Sequence, residues 1–313
     1  MYHIVISGSS YLFIKSVADD IAKTIGQISE SSVRVSFTED VDSVHIRPGS
    51  IVLVIGENLP RFQRDSTCYY VYLNFSLLYR LRWYRPIGQE AVEWIGSKHS
   101  VFMSKLHCFD MVLDFYRQQS MVMQKQLCKK GIPVHHLQVG VLHDSLIAPV
   151  SVEECEWDVC VVGSMSKRRD VIFEELRKLG IKLSPITTDN FPLVASRSRI
   201  VLNIHYTDCD TFEIPRIIEA LALGRCVVTE PCYGMRTLVP EGICQIARYR
   251  NVVSTVSNLL NHPDRIARSG AASAIFYSQV YNSMCKQSLE RIMTDLQVRA
   301  DFRLNAASGL GSP

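Results

Sequence analysis

"DTFEIPRIIEALALGRCVVTEP", from Asp210 to Pro231, packs a loop, a helix, a stop and a strand into one short stretch. Ile214, Ile217, Ile218 and Leu221 recur at the i, i+3, i+4, i+7 spacing of one helical face. That face is expected in a core. At about 100° per residue, Arg216 and Glu219 fall on the opposite side, one turn apart and looking outward together. Pro215 suits the first helical turn, Asp210 and Thr211 stand just upstream as candidate caps, and Gly224 closes the helix. "RCVVTE" then reads as a short buried strand, so the unit is that of a parallel α/β sheet. The strand feeding the helix is "RIVLNIH", Arg199 to His205, with the polar loop "YTDCD" between them. In such sheets ligands lie beyond the carboxyl ends of the strands, against helix N-termini whose free N–H groups attract anions. A ligand carrying phosphate groups is expected there.

The same unit recurs along the chain. "YHIVIS" (Tyr2 to Ser7), "GSS" and the helical "YLFIKSVADDIAKTI" form a Rossmann-like start. Further strands are predicted at "VRVSF" (Val33 to Phe37), "SIVLVIG" (Ser50 to Gly56), "YYVYLNF" (Tyr69 to Phe75), "SVFM" (Ser100 to Met103) and "VHHLQVG" (Val134 to Gly140). The Pro-containing "HDSLIAPVSVEECE" (His143 to Glu156) has no period and reads as a linker. A second start follows in "WDVCVVGSMSKRRDVIFEELRKLGI", whose helix places Val171, Ile172, Leu176 and Leu179 on its apolar side and ends at Gly180. After Asn251 the chain reads as helices. The expected division is a Rossmann-like domain over 1–145, a second over 156–283, a C-terminal helix over 284–303 and a disordered tail over 304–313.

With 313 residues, 47% hydrophobic and 21% charged, the chain can bury two ordinary cores. A formal net charge of +3 makes no compositional case for nucleic acid or acidic lipid. Ten cysteines without a C-x-x-C pair suggest a reducing compartment. No apolar run approaches the roughly 20 residues needed to cross a bilayer, so a soluble, cytoplasmic protein without a transmembrane segment is expected. Neither leading strand is followed by G-x-G-x-x-G, which argues against a dehydrogenase.

Taken together, "VVGSMSKRRDVIFEELRKLGI" and "VLNIHYTDCDTFEIPRIIEALALGRCVVTE" resemble the C-terminal nucleotide-sugar-binding domain of group-1-type GT-B glycosyltransferases, over roughly Trp157 to Tyr281. The resemblance implies an α/β fold of two Rossmann-like domains facing a cleft, with the acceptor on the N-terminal one. It implies a sugar-nucleotide-dependent hexosyltransferase that needs no metal or other cofactor, the nucleotide-sugar donor being its substrate. The donor would contact Gly163, Ser164, Lys167, Arg169, His205, Thr211, Phe212, Arg216 and Glu219, with Arg168 and Glu213 as catalytic groups. Glu219 matches the second of two family glutamates. The first position falls at Thr211, and Glu213 is the nearest carboxylate.

The same residues also have plainer readings. Arg216 and Glu219 could form a surface ion pair, and Lys167, Arg168 and Arg169 a solvated helix start, although cations at a helix N-terminus are unfavourable without an anion. His205 is a donor ligand or a packed histidine, and His143 faces the cleft or the linker. The Gly8-Ser9-Ser10 turn reads as a simple chain reversal. "YYVYLNFSLLYRLRWYR" (Tyr69 to Arg85) interleaves aromatics with Arg80, Arg82 and Arg85 and is either an acceptor surface or a strand and loop. A DNA-base acceptor is the narrower alternative it carries. A GT-B-like nucleotide-binding protein without transferase activity is the alternative that Thr211 carries.

Overall fold

The computed structural model describes residues 1–38, 44–56, 64–75, 106–141, 150–186, 190–206, 214–232 and 235–307. They fall into two compact units. The first takes its described residues from Met1–Leu81, Glu93–Gly140 and Met284–Pro313, and the second from Val141–Ser283. The predicted strand at Ser100 to Met103, His143, and Arg80, Arg82 and Arg85 lie outside the described residues.

In the first unit β1 (Tyr2–Ser7), β2 (Val33–Thr38), β3 (Ile51–Ile55), β4 (Tyr69–Asn74), β5 (Met111–Asp114) and β6 (Val134–His136) form one sheet in the order β2-β1-β3-β4-β5-β6. Every pairing is parallel. All residues of β3, β4 and β5 are buried, as a parallel sheet covered on both faces requires. Helix α1 (Gly8–Ser29) buries Ile14, Val17, Ala18, Ile21 and Ile25 at helical spacing, and α2 (Arg117–Leu127) adds Met123 and Leu127 to the core around Val54, Tyr72 and Val112.

The second unit holds β7 (Trp157–Val161), α3 (Lys167–Lys178), α4 (Phe191–Ser196), β8 (Ser198–Asn203), α5 (Ile214–Ala222), β9 (Cys226–Thr229), α6 (Met235–Leu238), β10 (Cys244–Ile246), α7 (Val252–Leu260) and α8 (Pro263–Phe276). Its parallel sheet runs β10-β9-β8-β7. On the far side of β7, Leu183 makes a single parallel bridge to Val159. The chain therefore leaves β7, steps outward to Leu183 and returns past β7 to β8. Strand order reverses at β7, as it does in the first unit at β1, which lies between β2 and β3. At such a switch point adjacent crossovers pass on opposite faces and open a crevice at the carboxyl ends of the strands.

Helix α5 buries Ile214, Ile217, Ile218, Ala220 and Leu221, the face its spacing predicts. Gly224 follows at φ +63°, the left-handed stop glycine allows. A Cβ on Gly270 of α8 would run into the Gly224 carbonyl oxygen, so two backbones meet there with nothing between them. Arg225, buried, donates through Nη2 to the carbonyls of Val150 and Ser196 and through Nη1 to that of Ser198. This corrects the linker reading for residues 150–156: with Arg199 Nε also donating to the Val152 carbonyl, that stretch is tied to the second unit.

Three further differences are local. Strands β5 and β10, runs of four and three residues, escaped the sequence reading. Val171 and Leu179 are exposed at 51% and 58%, and Ile172, Phe173 and Leu176 form the inner face of α3. The final helix, α9 (Asn282–Ala307), runs past residue 304 where a disordered tail was expected. Within the first unit it is held by Gln297, which accepts from Tyr2 Oη at 2.7 Å, and by ion pairs from Asp295 to His135 and from Arg303 to Asp110.

Candidate functional site

Gly163 stands just beyond the carboxyl end of β7, at the switch point, with φ +87°. A Cβ built on it would lie 2.5 Å from Arg216 Nη2 and 3.0 Å from Arg169 Nη1. Two guanidinium groups from different helices thus close on one glycine, which suits neither a side chain nor an ordinary backbone angle.

Each cation is positioned by a neighbouring strand end. Arg169 is only 2% exposed; its Nε donates to the Ile204 carbonyl at 2.8 Å and its Nη1 to the Ser164 carbonyl at 2.7 Å. Its backbone N–H is taken by Ser166 Oγ, the cap of α3. Arg216 reaches from α5 to Asn203 Oδ1 at 2.8 Å, and Asn203 Nδ2 donates in turn to Thr229 Oγ1 at 3.0 Å. The outward reading of Arg216 is corrected here: it is half-buried and lies across the ends of β8 and β9. Glu219 is half-buried one turn further along.

Arg168, expected as a catalytic group, is engaged within the protein. Its Nη1 and Nη2 pair with both oxygens of Glu230, at 2.6 and 2.5 Å, and its guanidinium lies 3.9 Å from the centre of the Tyr249 ring. Tyr249 Oη donates to the Arg168 carbonyl at 2.7 Å. Glu230, buried just past β9, also accepts the His205 backbone N–H at 2.9 Å. His205 is buried, with Nε2 3.2 Å from Cys232 Sγ, and Cys232 Sγ donates to the Glu230 carbonyl at 3.1 Å. Much of the cation crowding at the start of α3 is therefore answered inside the protein, by one carboxylate and by carbonyl oxygens. Lys167 and Ser164 are exposed at the mouth of this arrangement.

The structure thus brings together Gly163, Ser164, Lys167, Arg168, Arg169, His205 and Arg216. Thr211, Phe212 and Glu213 lie outside the described residues. Glu230, Asn203 and Tyr249 were missed; Glu230 stands at the end of a predicted strand, and that position was the signal that could have found it. Among the described residues no group of His, Cys, Asp or Glu has the arrangement of a metal site, and no helix is long and apolar enough to cross a membrane.

The carboxyl edge of the first unit's sheet carries a second polar group. Asp114, wholly buried at the end of β5, accepts from Asn74 Nδ2 at 2.6 Å, Gln119 Nε2 at 2.8 Å and the Tyr116 N–H at 2.6 Å. Burial pushes its carboxyl up to about 7 against those bonds. His136, its register partner on β6, is pushed down to about 4 by burial.

Residues 146–292, the switch point and its cations included, match the family Glyco_trans_1_2, described as glycosyl transferase-like. This stretch is similar to group-1-type glycosyltransferase domains. The two parallel sheets fit two Rossmann-like domains, and the solved structures with the same fold are GT-B glycosyltransferases. The chain is similar to TarM (TM-score 0.53, 12% identity, covering 79% of this chain and 54% of that one). It is similar to sucrose-phosphate synthase from Thermosynechococcus elongatus (0.53, 10% identity, 95% of this chain and 100% of that one). It is similar also to an α,α-trehalose 6-phosphate synthase from Burkholderia multivorans (0.51, 9% identity, 86% and 74%). At these identities the likeness is one of fold, and the chain spans about half the length of TarM. No curated protein sequence matches the chain. At the switch point after β7, Gly163 gathers the cations of this stretch.

Proposed function

We propose that the chain transfers a hexosyl group from a nucleotide-activated donor to an acceptor, with the donor diphosphate seated at the Gly163–Ser164 turn and the start of α3. The observation that carries this is the convergence of Arg169 and Arg216 on Gly163. As the glycosidic bond breaks, the nucleoside diphosphate gains negative charge. Fixed cations and helix N–H groups stabilise that charge more than the intact donor, with no reorganisation needed at the moment of reaction. Arg216 and exposed Lys167 are the side chains in reach of a phosphate. Buried Arg169 shapes the field behind the turn, and Arg168 acts through Glu230 to hold the end of β9. Glu219 is assigned to the ribose, one turn along α5 from Arg216. The leaving group is met by protein cations in this reading, so no metal is required.

A panel of UDP, GDP, ADP, TDP and CMP tested by thermal melting checks the site. One nucleoside diphosphate is expected to stabilise the protein, by about 2.7 kcal/mol at 100 times its dissociation constant. No stabilisation by any of them sinks the assignment. The second reading, nucleotide binding without transfer, rests on Thr211 at the first family glutamate's position. It is separated by slow hydrolysis of the matching nucleotide sugar, since a transferase releases free sugar and a binding protein does not.

A further inference from the structure

We propose that Cys232 is a reactive thiol, a modification site for peroxides and soft electrophiles, set beside His205 at the mouth of the candidate donor site. Three of the buried cysteines are inert by placement. Burial raises Cys160 to about 12, Cys226 to about 11 and Cys244 to about 12, so their thiolates are scarce. Cys232 differs in being only half-buried and in having an imidazole nitrogen 3.2 Å from its sulfur. A nucleophile within hydrogen-bond reach of a base is the arrangement that activates a thiol. Here the His205 main chain is held from both sides. Its N–H donates to Glu230 Oε2, and its carbonyl accepts from Arg168 Nη1 at 3.3 Å. Arg168 and Glu230, the charged groups flanking the pair, are bonded to each other at both oxygens, so their opposite charges largely offset; the thiol also donates to the Glu230 carbonyl at 3.1 Å, a bond it exchanges for the imidazole when it ionises.

The chemistry balances simply. The Cys232 proton passes to His205 Nε2, and the thiolate attacks one oxygen of hydrogen peroxide. The S–O bond forms as the O–O bond breaks, and the departing hydroxide takes the proton from the imidazolium and leaves as water. Sulfur is oxidised by two electrons to the sulfenic acid and the peroxide is reduced. With iodoacetamide an S–C bond forms and iodide leaves. Either adduct replaces the His205–Cys232 contact with added atoms beside Glu230. The consequence for the donor rests on the function proposed above; the reactivity itself does not.

The test uses the full chain without nucleotide. Limiting iodoacetamide is followed by mass spectrometry of the cysteine peptides, with exposed Cys128 as internal reference. Cys232 is expected to react at least tenfold faster than Cys128, and to give the dimedone adduct of a sulfenic acid after brief peroxide treatment. A Cys232 rate equal to or below that of Cys128 overturns the proposal. His205→Gln should remove the advantage; if that variant does not fold, the wild-type ratio decides alone. A nucleoside diphosphate that raises the melting temperature should slow Cys232 alkylation. Unslowed alkylation under such a ligand would overturn the link to the donor site, and a failed nucleotide panel with a fast Cys232 would sink the function reading alone.

Discussion

Gly163 is the residue on which the candidate site is most sensitive to a single atom. Its φ of +87° would cost a non-glycine residue about 1–3 kcal/mol, and the added methyl would sit 2.5 Å from Arg216 Nη2. Gly163→Ala should lower the melting temperature and, by pushing Arg216 off Asn203, weaken nucleoside diphosphate binding at least several-fold by calorimetry. Unchanged affinity in a folded Gly163→Ala protein would detach Arg216 from the donor. Much at this scale was legible in the sequence: a glycine after a strand, a basic run after it, an arginine two residues into the helix. What the three basic residues do individually was not. Arg168 meets a carboxylate 62 positions away, and Arg169 is inserted under a strand end. Adjacent residues of the same charge separate into a surface lysine, an ion pair and a buried donor only once the sheet brings β8 and β9 alongside.

Elements were legible in proportion to their length and period. The apolar face of α5, its Pro215 start and its Gly224 stop followed from spacing and turn chemistry alone, as did the strands at Tyr2, Val33, Ile51 and Tyr69. Packing between elements had no such signal. Gly270 in the middle of α8 reads as a weak helix position, yet it lets α8 close on the end of α5 and the start of β9. A flexible neighbour could yield to a new methyl, but the neighbour here is the Gly224 carbonyl, fixed by its own left-handed turn. Gly270→Ala should therefore destabilise the second unit by about 1–3 kcal/mol, the usual cost of overpacking. An exposed helical glycine replaced by alanine would instead stabilise by about 0.5–1 kcal/mol. Chemical denaturation of the two proteins decides by sign.

On the scale of the molecule, two units with separate cores carry different perturbable groups at the carboxyl edges of their sheets, so each should answer to its own condition. A nucleoside diphosphate should protect amides of the second unit around 161–169 and 203–206 from hydrogen exchange. For the first unit the lever is pH. The Asp114 carboxyl titrates near 3.8 when unfolded and near 7 when folded. Below about pH 4 both states hold the proton. Between 4 and 7 the folded state keeps a proton that the unfolded state has released, so this carboxyl lowers stability as pH rises, by about 1.4 kcal/mol per unit of the shift. His136 acts oppositely, because a folded value near 4 against 6.5 unfolded means that stability rises with pH across that window. His3 and His135, also lowered by burial, act in the same sense as His136. The wild-type curve should therefore be blunted between pH 4 and 6.5. Asp114→Asn removes the carboxyl while the Asn74 and Gln119 amides can turn to accept from the new NH2, so the variant should gain stability steadily with pH and stand furthest above wild type at pH 7 and beyond. Hydrogen exchange of β4 to β6, with second-unit amides as the reference, measures both curves. Parallel curves from pH 4 to 7 would mean that Asp114 ionises like an exposed carboxylate, and that its three donors outweigh its burial.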